Sequence, residues 1–132
     1  MLPLRCNTFT TFNLEKDDNN LVFKIAHDLR LQADGNGIFV INGEVVANGK
    51  SSSVNRVINL SNGIVLDEDT VEYQIKSVSV SPTDNTSSSD FNKLIAEFTS
   101  DPKRFELDII NVDDDAYLIG GPVSFLFICM RY

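Results

Sequence analysis

The chain has 132 residues, with 19 acidic against 11 basic side chains, a formal net charge of −8, 42% hydrophobic residues and 23% charged ones. That balance excludes wholesale disorder and suits one core. It also argues against a phosphate-binding surface, because the basic residues are scattered and the nearest thing to a patch is Lys103-Arg104.

No apolar run reaches the eighteen or so residues that cross a bilayer. The opening Met1 to Cys6 lacks a basic stretch followed by an apolar one. The sequence thus predicts a soluble single β domain over residues 1–132, without nucleic-acid or membrane partners, in the cytoplasm or in an assembled particle. In that reducing setting Cys6 and Cys129 are expected as buried thiols rather than a bridge.

Residues 8–12 have strand-favouring composition and are followed by a polar break at Glu15 to Asn20. The next segment reads two ways. With a period of two, Phe23, Ile25, His27, Leu29, Leu31 and Ala33 share a face; with a period of 3.6, Val22, Ile25, Ala26 and Leu29 form a stripe. The strand reading places more apolar residues correctly. Turn chemistry then becomes dense: Asp34-Gly35-Asn36-Gly37, followed by Asn-Gly pairs at 42–43, 48–49 and 62–63. Asn-Gly suits two-residue hairpin turns, so these pairs predict an antiparallel meander.

Val71, Tyr73 and Ile75 alternate in one phase, and Val78 and Val80 in the other, as at a β-bulge or in a strand buried on both faces. Residues 81–90 are polar and turn-rich. Phe91, Leu94, Ile95 and Phe98 follow at helical spacing, capped by Ser89 or Asp90 and stopped at Asp101-Pro102, which predicts one short helix near residues 91–99. Phe105, Leu107 and Ile109 then alternate before Ile110 and Val112 change phase. The expected fold is mainly β: an antiparallel sandwich or partly closed barrel of seven to nine strands, jelly-roll-like in one version.

The last run, Val123 to Met130, is apolar in both phases. A strand of that kind needs cover on both faces. A second sheet and the helix can supply it within the chain; otherwise a second subunit must, through Phe125, Leu126, Phe127, Ile128 and Met130.

Chemistry-bearing motifs are sparse. His27 is the sole histidine, placed on an apolar strand face, with no Gly-x-Ser-x-Gly elbow to serve it. It reads as a buried, hydrogen-bonded core ring, or as a polar group in a ligand cavity. Asp17-Asp18, Asp67-Glu68-Asp69 and Asp113-Asp114-Asp115 lack EF-hand order and read as solvated turns. No cofactor or metal is expected, and no catalytic residue can be named. Three readings follow: a non-enzymatic structural or interaction module that forms homo-oligomers, as in virion or other assembly parts; a β-barrel for a small apolar or carbohydrate ligand near His27; and an acidic inhibitor covering a basic site on a protein partner.

Overall fold

In a computed structural model, residues 3–16, 19–101, 103–122 and 125–132 are described. Five strands run up and down in sequence: β1 (Leu4–Lys16), β2 (Asn19–Leu31), β3 (Gly37–Ala47), β4 (Lys50–Val65) and β5 (Thr70–Val80). A short helix, α1 (Ser88–Ile95), precedes β6 (Thr99–Asp101), β7 (Arg104–Asp113), β8 (Ala116–Gly120) and β9 (Phe125–Arg131). All pairings are antiparallel. β5 pairs with β7 and β9 returns to β1, so eight strands close into a barrel, with β6 as a short addition beside β7. Closure leaves one sheet wrapped around its own core, so the expected mainly-β fold takes its barrel form and not its sandwich form.

The period-two reading of residues 22–31 holds. Phe23, Ile25, His27, Leu29 and Leu31 point into the lumen, while Lys24, Ala26 and Arg30 face outward; Ala33 lies beyond the strand and is exposed. The β3–β4 turn at Asn48-Gly49 has positive φ at both residues (50° and 84°), the backbone that an Asn-Gly hairpin turn requires.

The other two Asn-Gly pairs do not turn the chain. Gly43 sits mid-strand in β3 opposite Ile25, where a Cβ would run into the Lys24 carbonyl oxygen, so glycine is needed there for close strand approach. Asn62-Gly63 lies inside β4 at a register break between Ser61 and Ile64, a bulge rather than a hairpin. The phase change in β5 is also a bulge: Ser77 faces Asn59 and Ile75 faces Leu60, leaving Lys76 as the extra residue. Beyond it, Val78 and Val80 are exposed, so burial on both faces does not apply.

The helix begins earlier than its apolar spacing suggested. Ser87 is the N-cap, its side chain accepting the Asp90 amide, and the helix is over by Ala96, ahead of Asp101; Pro102 lies outside the described residues. Phe91 and Leu94 are buried, and Phe98, just past the helix, enters the lumen among Phe39, Phe105 and Phe127. The loop before the helix is anchored on the first half of β4. Asp84 accepts both Arg56 guanidinium arms (2.9 and 3.2 Å), and Arg56 also donates to the Thr86 carbonyl. This fills one end of the barrel, the end away from the β4–β5 turn.

Cys6 and Cys129 form a disulfide, with Cα atoms 5.4 Å apart, contrary to the expectation of two free thiols. They lie on β1 and β9, which are neighbours only because the barrel closes, and both side chains point inward. A separation of 123 residues hid that proximity from the sequence.

Candidate functional site: the lumen histidine and the outer wall of the closing strand

His27 is buried, as its strand face implied, and its strand borders an open depression of the wall beside Thr8, Phe9, Ala26 and Val40. Its ring stacks on Phe127 (centroids 4.7 Å apart, planes 4° apart), lies 5.5 Å from Phe39 and meets the Phe12 ring edge-on. Neither ring nitrogen has a hydrogen-bond partner among the described residues, so the expected hydrogen-bonded ring is replaced by one packed wholly among aromatics. Those three rings occupy the lumen around the imidazole.

Burial lowers the His27 pKa from 6.5 to about 4. The unfolded chain therefore takes up a proton in a range where the folded chain refuses it. The stability contribution is complete above pH 6.5 and is lost as pH falls towards 4, amounting to about 3 kcal/mol. His27→Phe should remove this component. Urea midpoints at pH 7 and pH 4 should then differ less for the variant than for the parent chain; equal differences would refute the assignment.

β9 alternates strictly. Phe127 and Cys129 face the lumen, whereas Ile128 and Met130 face outward and are 47% and 49% exposed. The expected cover on both faces is thus present on one face only. The helix turns Phe91 and Leu94 to the core and does not cover the exposed outer side of β9. Leu126 is half-buried, Val123 and Ser124 lie outside the described residues, and Phe125 is described in its backbone alone.

The outer side of β9 belongs to a larger apolar row. Cross-strand register places Ile110 of β7 opposite Leu118 of β8, and Leu118 opposite Ile128 of β9. Met130 faces Ala116 on one side and Asn7 of β1 on the other. Phe9, two residues along β1 from Asn7 and so on the same outer face, is 67% exposed, and Val112, two residues past Ile110, is 51% exposed. Sequence inspection singled out the β9 part of this row. Phe9 could not be found that way, because its neighbours on β9 lie at the other end of the chain; for Val112 the phase change at Ile110 was the available signal.

Elsewhere the outer wall is mixed, with half-buried Val22, Ile38, Val40, Val46 and Val57 among polar side chains. β2, β3 and β4 present Lys24, Arg30, Asn42, Glu44, Asn55 and Asn59. The lumen is apolar, unlike the polar interior of a membrane-spanning barrel. Among the described residues no helix is long and apolar enough to cross a membrane, and no group of three or more His, Cys, Asp or Glu side chains could hold a metal ion. A cavity of about 690 Å³ lies at the barrel end near the β4–β5 turn, bordered by every barrel strand except β3.

Residues 43–129, from the middle of β3 to the disulfide cysteine of β9 and about two-thirds of the chain, match the family described as FidL-like putative membrane protein. No curated protein matches the chain.

Proposed function

Because the chain belongs to the FidL-like family of putative membrane proteins, whose description specifies no reaction, we propose from the fold and its surface that this barrel is a non-enzymatic interaction module that pairs with a second copy through its outer apolar row. The observation that carries this reading is the register-aligned line Ile110–Leu118–Ile128, flanked by exposed Phe9, Met130 and Val112, on a wall that no other described residue covers. A contiguous exposed apolar patch marks an interaction face. A row centred on one strand can meet its own copy about a two-fold axis, each copy offering the same side chains.

Covering the half-exposed Phe9, Val112, Ile128 and Met130 would return about 1 kcal/mol each. Two copies of net charge −8 repel one another, so pairing should be modest, with a Kd on the order of 10 µM, and should tighten as salt screens the repulsion.

Sedimentation over a dilution series provides the test. The parent chain should pass from monomer to dimer through tens of micromolar, more readily at 300 mM than at 20 mM salt. Ile128→Lys should remain monomeric, with an unchanged far-UV spectrum. A parent chain that stays strictly monomeric at 100 µM, or an Ile128→Lys variant that pairs as before, contradicts the proposal.

A further inference from the structure

The cavity at the barrel end is independent of the outer row, since it opens along the barrel axis and not on the side wall. Leu4, Leu31, Val71, Tyr73, Ile109 and Tyr117 contribute to its walls and floor. Leu4, Leu31 and Tyr73 are core residues that end in this space. The asymmetry has a simple origin. Large rings crowd the middle of the lumen, where Phe39, Phe98, Phe105, Phe127 and His27 meet, and among the described residues no phenylalanine lines the open end. An eight-stranded barrel is wide enough either to be filled by side chains or to hold one small molecule. This one is filled below and hollow above, and about 690 Å³ lies within the range of small-molecule sites.

The rim sets the chemistry. Glu68 and Asp69 stand on the β4–β5 turn at the cavity edge, and among the described residues neither has a cation within salt-bridge distance. The one cation at the rim, Arg131, is held by Asp115 at 3.0 Å. Half-buried Tyr117 adds an aromatic ring of the kind that attracts organic cations. We propose that the barrel mouth binds a small amphiphile whose apolar body enters the lumen between Leu4, Leu31 and Ile109 and whose cationic head rests at Glu68 and Asp69.

The test uses the full, disulfide-bonded chain and the neutral fluorescent probe N-phenyl-1-naphthylamine. The probe should brighten on binding. Dodecyltrimethylammonium, below its micelle concentration, should displace it at least tenfold more effectively than dodecyl sulfate, with the far-UV spectrum unchanged throughout. Val71→Trp, which fills the mouth, should weaken probe binding at least tenfold. Glu68→Gln with Asp69→Asn, both on an exposed turn, should retain the probe and erase the preference for the cationic head. Ile128→Lys should bind the probe as the parent does, which separates the mouth from the outer row. Absence of probe binding, equal displacement by both heads, or a Val71→Trp variant that binds like the parent overturns the proposal.

Discussion

Replacing Cys6 and Cys129 together by alanine should lower the unfolding free energy by about 2–5 kcal/mol, and the melting temperature by about 10–20 °C. The bridge closes a loop of 123 residues, and restricting so long a loop in the unfolded chain is worth about 4–5 kcal/mol in the chain-entropy account. It also sits where the barrel is weakest. β1 and β2 are paired from Leu4↔Leu31 to Lys16↔Asn19, whereas among the described residues β1 and β9 share Cys6↔Arg131 and Asn7↔Met130 alone. Few backbone hydrogen bonds seal this edge, so the covalent link holds the first strand to the last. Thermal melts with and without reductant check the expectation: the parent chain should lose stability on reduction and the double variant should be indifferent to it. A parent chain that melts identically in both conditions would contradict the role given to the bridge.

Asp84→Ala should cost about 3–5 kcal/mol, because it strands the Arg56 guanidinium in a buried setting. The side chains of Arg56 and Asp84 are only 7% and 1% exposed. Asp84 also accepts the backbone amides of Asn55 (2.8 Å) and Thr86 (3.0 Å), and Arg56 lies 4.4 Å over the Phe91 ring. The pair thus ties β4, the 81–87 loop and the helix together. Burial pushes the Asp84 pKa upward, but the hydrogen bonds from Arg56, Asn55 and Thr86 outweigh it and hold the carboxyl below its ordinary 3.8. The sign follows: this contribution is complete above the unfolded value and is lost as pH falls through the lower folded value.

The double variant Arg56→Met, Asp84→Ala should be less destabilised than Asp84→Ala alone, since no orphaned charge remains. Urea unfolding at pH 7 would show it, and equal losses for single and double variants would count against the buried-charge explanation. Hydrogen exchange should show the largest loss of protection in the helix and in the first half of β4.

What the sequence revealed about the fold was mostly local. Period-two alternation in β2 and in the first half of β7, the bulge in β5, and the Phe91–Leu94 helix face all depend on neighbours a few residues apart, and each appears in the structure. Asn-Gly pairs proved ambiguous because the same backbone freedom serves a turn at Asn48-Gly49, a bulge at Asn62-Gly63 and a close strand approach at Gly43. Barrel closure was hidden, since the β1–β9 and β5–β7 pairings join segments far apart in sequence. The disulfide and the stacking of His27 on Phe127 follow from that closure and were hidden with it.

The same reason divides the site. Ile128 and Met130 could be identified as needing cover because their own strand is apolar in both phases. Phe9 of β1 joins them only once β9 has closed the barrel, and the open mouth depends on which end the helix fills.

The interaction role rests on the side wall of β9, and a dilution series of amide NMR spectra examines it most directly. As the concentration falls from several hundred micromolar to ten, shift changes should concentrate on Ile110, Val112, Leu118, Ile128, Met130 and Phe9 and vanish in Ile128→Lys. Spectra that do not change with dilution, or changes gathered on β3 and β4 instead, would contradict it.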